Sequence, residues 1–360
     1  MSLTPQTGIM NIALYEGGKS SIEGHSDVLK LSSNENPLGP PPAAVEAITM
    51  AARDVHRYPS TDHAELRAAI GEAYGLEPER IICGVGSDEV LQFVCQAFAG
   101  EGDEIIYTEH GFSMYPILAH MAGATPVQVA EQERVVSVDH ILAAVTAATK
   151  VVMLANPANP TGTMLPEGEL ERLASALPEH VILVIDGAYT EYAEGYTGGA
   201  ELAATRPNVL MTRTFSKVYG LGGLRIGWGY GPKAMIDVMT RIRQPFNLST
   251  VQLAAAQAAV EDASWIPDCT ALNATQRARL TGALRQLGVA CDKSHANFVL
   301  ARFADEAEAV AVDLALQDEG ILVRRVKGYG FPEGLRMTVG NEAQTGRLIA
   351  ALTKWREGQA

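Results

Sequence analysis

Asn208-Val-Leu-Met-Thr-Arg-Thr-Phe-Ser-Lys-Val-Tyr-Gly-Leu-Gly-Gly-Leu-Arg-Ile-Gly-Trp-Gly-Tyr230 holds two apolar runs separated by a polar, glycine-rich turn. Residues 208–211 read as a short buried strand and residues 226–230 as another. Between them Lys217 stands close to the hydroxyls of Thr214 and Ser216, and Arg225 follows eight residues later. The lysine therefore falls on a loop at a strand end, where α/β proteins place their chemistry.

The same rhythm runs upstream. Strands are expected at 81–82, 104–107, 125–129, 151–155 and 181–185, with helices at 90–99, 113–122, 139–148, 166–176 and 232–243. Most of the strands are apolar runs without polar alternation, which marks a sheet covered on both faces. Strand-helix alternation of this kind gives an α/β fold, a mostly parallel, doubly wound sheet covered by helices. Before it, three prolines at 40–42 open a helix over 43–53, and Asp62 with Glu65 predicts a capping box for a helix ending near Tyr74. After it, a helical stretch from 253 to about 287 leads to strands at 297–302, 321–324 and 335–339 and helices at 306–318 and 343–355. That part reads as a smaller α+β domain. The expected division is residues 1–41 as a segment packing with the small domain, 42–245 as the large domain and 246–360 as the small one.

The 360 residues are 47% hydrophobic and 19% charged, ordinary for a globular protein, with a net charge of -14. That balance disfavours nucleic acid or an anionic membrane as partner. No run of eighteen apolar residues suggests a membrane span, and the N-terminus lacks the pattern of a signal peptide. Cys83, Cys95, Cys269 and Cys291 form no Cys-x-x-Cys pair, so free thiols in a reducing cytoplasm are expected. The eight histidines show no metal spacing, and no metal is expected.

A lysine in a pocket can lose its proton and attack a carbonyl. Nearby hydroxyls and an arginine suit a phosphate. A phosphate-bearing aldehyde meets both needs, and pyridoxal 5'-phosphate is the common one; the alternative is a surface lysine beside an ordinary ion pair. Four other stretches bear on this choice. Asn156-Pro-Ala-Asn-Pro-Thr-Gly follows a strand and leaves the Asn159 amide for a cleft, or is a structural turn. Asp186 ends the apolar run Val181-Ile-Leu-Val-Ile, a costly place for a carboxylate without a cationic partner. A pyridinium nitrogen is such a partner, with Tyr189 near the ring's phenolic oxygen; helix capping is the alternative. Gly84-Val-Gly-Ser-Asp-Glu, with Gly86, Ser87 and Asp88, turns from strand to helix where backbone amides attract phosphate. Arg336 and Arg324 lie in apolar strands and need anions, either a ligand or an internal carboxylate. The run Gly220-Leu-Gly-Gly-Leu-Arg has dinucleotide-like glycines but precedes a strand, which excludes that reading.

In this order the stretches resemble the aspartate-aminotransferase superfamily of fold-type-I pyridoxal-phosphate enzymes, over nearly the whole chain. A narrower resemblance, to the branch acting on histidinol phosphate, rests on eight segments. They are Ser33-Asn-Glu-Asn-Pro-Leu-Gly, Arg57-Tyr-Pro, Gly86-Ser-Asp-Glu, Asn156-Pro-Ala-Asn-Pro-Thr-Gly, Arg213-Thr-Phe-Ser-Lys, Arg243-Gln-Pro-Phe-Asn, Ala296-Asn-Phe-Val and Gly328-Tyr-Gly-Phe-Pro-Glu-Gly-Leu-Arg.

The resemblance implies that Lys217 bonds to the cofactor aldehyde and moves the substrate proton. It implies that Asp186 pairs with the pyridine nitrogen and that Asn159 and Tyr189 bind the ring oxygen. Thr214, Ser216 and Arg225 belong to the phosphate side, with Gly86, Ser87 and Asp88. Phe112 falls where the family stacks an aromatic on the ring, although Glu109-His-Gly-Phe departs from the usual pattern. Tyr58 is expected to reach the cofactor of a second subunit, which implies a homodimer. Arg336, Arg324, Asn36 and Tyr15 are expected on the substrate side. The implied reaction is ping-pong amino transfer between histidinol phosphate and 2-oxoglutarate in histidine biosynthesis. Alternatives are an aromatic or broad-range aminotransferase, a decarboxylase on a phosphorylated amino acid, or a cofactor-binding regulator without turnover.

Overall fold

A computed structural model of the chain describes residues 3–14, 17–166 and 168–358. A short strand, β1 (Leu29–Lys30), precedes the main sheet. The sheet is built from β2 (Ile81–Gly84), β3 (Glu104–Thr108), β4 (Thr125–Val129), β5 (Thr149–Ala155), β6 (Ile182–Asp186), β7 (Val209–Thr214) and β8 (Gly227–Tyr230). Its order is β2-β8-β7-β6-β5-β3-β4. The strands from β7 to β4 run parallel, and β8 runs antiparallel to both of its neighbours. The fold is α/β with a mostly parallel sheet, as the apolar runs predict.

Successive residues of a strand face opposite sides, so each strand feeds two cores. Val152 and Leu154 join one apolar cluster with Leu183, Ile185, Val209 and Met211. Val151 and Met153 join the other with Ile182, Val184 and Leu210. Each such burial is worth roughly 1.5–3 kcal/mol, and burial on both faces is why polar alternation is missing from these runs.

The smaller unit contains β9 (Ala290–Cys291), β10 (Phe298–Arg302), β11 (Ile321–Leu322), β12 (Arg324–Arg325) and β13 (Gly334–Thr338). Four of them form an antiparallel sheet in the order β12-β13-β10-β9. The fifth, β11, pairs in parallel with β1, Leu29 opposite Ile321 and Lys30 opposite Leu322. Leu29 and Leu31 sit in a third apolar cluster with Val299, Leu316, Ile321 and Leu335.

Three local expectations fail for physical reasons. The helical stretch expected from 253 to about 287 is divided into two helices, Thr250–Glu261 and Trp265–Gln286. Between them the Asp262 carboxylate accepts the backbone N–H and hydroxyl of Ser264, a local turn that competes with helix. The Asp62–Glu65 capping box does not form: His63 is the cap residue, at φ 54°, and makes no side-chain cap bond. Asp62 instead accepts from Ser60 Oγ and the Ala64 N–H. The helix over 139–148 is shorter, Val138–Ala144, because Val145 turns extended and Thr149 already belongs to β5. The core also changes later than residue 245. A division there would part Leu248, Ala255, Ala256 and Ala259 from the large-sheet cluster that holds them. The change falls within Trp265–Gln286, where Cys269 joins the first cluster and Leu280 and Leu284 the third.

Candidate active site

Parallel strands bring their C-terminal ends to one edge of the sheet. Asp186 closes β6 in register with Ala155 of β5 and Thr212 of β7. Thr214 of β7 lies opposite Gly227 of β8, which lies opposite Gly84 of β2. The loops leaving this edge carry Asn159, Tyr189, Lys217 and Arg225, and β2 leads into the helix Ser87–Phe98. A cleft there is lined by Ser87, Asp88, Phe112, Asn159, Asp186 and Tyr189. Thr214, Ser216, Lys217, Arg225, Arg324 and Arg336 complete the predicted set that faces it.

Lys217 Nζ donates to the Ser33 carbonyl at 3.2 Å and lies 5.8 Å from the centre of the Tyr189 ring. Burial, then the positive charges of Arg336 and Arg225, bring its pKa down to about 8 from 10.5. About a tenth of the amine is then neutral at pH 7, several hundred times the fraction of an ordinary lysine. A neutral amine is a nucleophile and a base.

Asp186 is buried. Its Oδ2 accepts the Tyr115 hydroxyl at 2.9 Å, and its Oδ1 accepts the Ala188 N–H at 3.2 Å and the Thr212 hydroxyl at 3.5 Å. Burial raises its pKa to about 6 against these hydrogen bonds, with the Asp88 charge adding to the rise. Among the described residues no lysine or arginine forms an ion pair with it. Such a carboxylate is set to receive a cation from the cleft.

The opposite corner suits an anion. Arg225 Nη1 donates to Ser216 Oγ at 3.2 Å, and Nη2 donates to Asp88 Oδ2 at 2.9 Å. The helix Ser87–Phe98 starts after Gly86 (φ 79°) with no side-chain cap, leaving first-turn N–H groups for a ligand. A Cβ on Gly86 would stand 2.6 Å from Arg225 Nη2. A Cβ on Gly227 would meet Ser87 N at 2.1 Å, so β8 can pass under the helix start only as glycine.

Arg336 in β13 closes the cleft from the smaller domain. Its Nη1 donates to Asn159 Oδ1 at 2.5 Å and its Nη2 to the Ser32 carbonyl at 2.9 Å. With its oxygen so engaged, Asn159 keeps its amide N–H groups for the cleft. The end of β7 is tied to the turn after Tyr189 by a buried ion pair, Arg213 to Glu191 at 3.2 Å. Removing one partner of such a pair costs about 3–5 kcal/mol.

Not every expected residue arrives. Asn36 lies outside the cleft: its amide donates to the Val218 carbonyl at 2.6 Å and to Cys269 Sγ at 3.1 Å. It thus holds the peptide next to Lys217 in place of lining the substrate side. Tyr58 is 83% exposed and stacks on Phe246 at 4.6 Å, away from this chain's own cleft. Tyr15 lies outside the described residues. Among the residues that shape the site and escaped sequence reading, three stand out. Asn34 donates to the Tyr189 hydroxyl at 2.9 Å. Tyr115 holds Asp186, and the need of a fully buried tyrosine for a hydroxyl partner is the only signal that could have found it. Tyr329 lines the mouth, bonded to Ser113 at 3.1 Å.

The family model described as aminotransferase class I and II matches residues 26–352. A histidinol-phosphate aminotransferase of Ruegeria pomeroyi is 65% identical over 357 residues, which is 99% of this chain and 99% of the relative. Another from Jannaschia sp. is 61% identical over 98% of each chain. The solved histidinol-phosphate aminotransferase of Sinorhizobium meliloti, in complex with pyridoxal-5'-phosphate, is 28% identical. It superposes with a TM-score of 0.91 over 100% of this chain and 99% of that one. Aspartate aminotransferase from Thermus thermophilus with maleate is 25% identical, with a TM-score of 0.79 over 92% and 91% of the two chains.

Proposed function

The chain belongs to the class I and II aminotransferases, and from that premise we infer that it moves amino groups with pyridoxal 5'-phosphate, between histidinol phosphate and 2-oxoglutarate in histidine biosynthesis. The observation that carries the chemistry is one cleft holding a lysine of lowered pKa and a buried carboxylate that, among the described residues, has no ion-paired lysine or arginine. The substrate pair rests on the relatives named for histidinol phosphate, which align end to end at 61–65% identity.

The residues present fit the cofactor. The uncapped helix start with Arg225 and Ser216 suits its phosphate, the Asp186 carboxylate its ring nitrogen, and Asn159 and Tyr189 its ring oxygen. Thr214 borders the phosphate side, and Phe112 covers one side of the cleft. When bound, pyridoxal 5'-phosphate supplies an aldehyde that joins amines and a ring that takes up negative charge. Lys217 Nζ, neutral in part at physiological pH, is the base that takes the proton from the substrate carbon and returns it. Asp186 keeps a positive charge favourable behind the ring, and Tyr115 keeps Asp186 aimed. Arg336, with Arg324 beside the mouth, receives the anionic end of the substrate, a carboxylate or a phosphate.

We further infer a homodimer. Tyr58 and Phe246 are exposed, and so are Leu38, Val45, Met50, Val55 and Ile242, an apolar set that a second copy would cover while Tyr58 reached its cofactor. A cytoplasmic location fits the free cysteines. Among the described residues no helix is long and apolar enough to cross a membrane.

Three measurements test this reading. Purified protein given glutamate and imidazole-acetol phosphate should form histidinol phosphate, with phenylalanine a poorer amino donor than histidinol phosphate in the reverse direction. Equal turnover with phenylalanine would favour the aromatic enzyme, and release of carbon dioxide would favour the decarboxylase. Reconstitution of cofactor-free protein, followed by absorbance, should speed up as pH rises through about 8 and level off above it, as the lysine becomes fully neutral. A rate still climbing steeply at pH 10 would mean an ordinary lysine. Arg225→Asn keeps a residue that tolerates the left-handed backbone at φ 55°. It should weaken cofactor binding about 10- to 100-fold, by loss of one charged hydrogen-bonding group, as read by titration in phosphate-free buffer.

A further inference from the structure

Asn34 is buried, and its backbone sits in the left-handed region at φ 57°, which asparagine tolerates better than most residues. All four of its polar groups are engaged. Its backbone N–H donates to Thr338 Oγ1 at 2.9 Å, and its carbonyl accepts Asn297 Nδ2 at 2.9 Å. Its Oδ1 accepts the Thr338 hydroxyl at 3.2 Å, and its Nδ2 donates to Tyr189 Oη at 2.9 Å. Donor bookkeeping fixes which end of the amide faces which partner. The Thr338 hydroxyl already accepts the Asn34 N–H, so its own hydrogen must go to an acceptor, and Oδ1 is the acceptor there. The amide nitrogen is left facing Tyr189.

That polarity has a chemical consequence. Because Tyr189 Oη accepts from Asn34, the phenol's hydrogen points elsewhere, and Tyr189 lines the same cleft as Lys217, whose Nζ lies 5.8 Å from its ring centre. We propose that Asn34 is a positioning residue that fixes Tyr189 as a hydrogen-bond donor into the cleft, toward the ring oxygen of the cofactor held as inferred above. Thr338 and Asn297 belong to the smaller domain, so the direction of this hydrogen is set by the domain opposite the one that carries Lys217. The donated bond also makes the phenol a better donor, since a hydrogen bond to the oxygen favours its charged form.

The test is the pH midpoint of the bound cofactor's absorbance change, a readout that loosened packing alone would not move in a Tyr189-dependent way. Asn34→Gly is chosen because glycine accepts φ 57° and adds no charge. It should raise the midpoint by about 0.5 to 1 unit, the worth of one hydrogen bond. Thr338→Val, which leaves Asn34 in place but removes the group that orients its amide, should shift it the same way by less. In a Tyr189→Phe background both changes should move it by no more than about 0.2 unit, the ordinary scatter of additivity. Unchanged midpoints in both single variants, or shifts that persist without the phenol, would overturn the role of Asn34. Wild-type protein that takes up no pyridoxal phosphate would overturn the cofactor itself, and this inference with it.

Discussion

Lys217→Ala should lower the rate of amino transfer by about 10,000-fold or more, with little change in folding. In the role proposed for Lys217 the variant loses the base that moves the substrate proton, and such a group accounts for up to about 10,000-fold in rate. It also loses the amine that joins the aldehyde. Stability should hold because the side chain's one hydrogen bond is to the Ser33 carbonyl, and a partly buried amine of lowered pKa gains little from its surroundings. Cofactor should still bind through the phosphate corner but wash out on dialysis, and borohydride should no longer fix it to the protein. Small primary amines added to the assay should restore part of the rate. A loss below about 100-fold would assign the proton transfer to another group.

Asp186→Asn should cost about 1,000-fold in turnover, the scale of one preorganised electrostatic contact in a dry site. Its effect on the cofactor-free protein should run the other way. The folded pKa, about 6, lies above the unfolded 3.8, so the folded state holds its proton more tightly. Burying the ionised form then costs about 3 kcal/mol above pH 6, and the cost fades as pH falls from 6 towards 4. Asparagine carries no such cost. The variant without cofactor should therefore unfold at higher denaturant than wild type at pH 8, and the advantage should shrink by pH 5. An advantage undiminished at pH 5, or a variant less stable at both pH values, would mean that the carboxylate is not the strained group described.

The parts of this protein that could be read without coordinates are those whose signal is local. An apolar run ending in aspartate places Asp186 at a strand end. The glycine-rich turn between two apolar runs places Lys217, and the strand-to-helix turn places Ser87. What escaped depends on partners far away in the chain. The short strand β1 has no periodicity of its own and exists through pairing with β11. Asn34 and Asn36 stand two residues apart in one motif, and composition gives no reason to prefer either. The left-handed turn at Asn34 and the distant Thr338 send one amide to Tyr189, while the other goes to Val218 behind the lysine. The packing of the helix Thr250–Glu261 in the large-sheet cluster is hidden for the same reason. Its alanines suit any close-packed face, and only the helices Pro42–Ala51 and Ala64–Tyr74, against which it lies, decide which one.

The pairing of β1 with β11 bears on how a ribosome makes this molecule. Leu29 leaves the exit tunnel early, yet its partner Ile321 follows roughly 290 residues later, about 15 to 60 s at ordinary elongation speeds. For that interval the large sheet can assemble with Lys217 and Asp186 in place, while Asn34 still waits for Thr338 and Asn297. On the proposed roles, a nascent chain can therefore complete the half that would grip a vitamin-derived ring before it owns the half that would select what the ring meets.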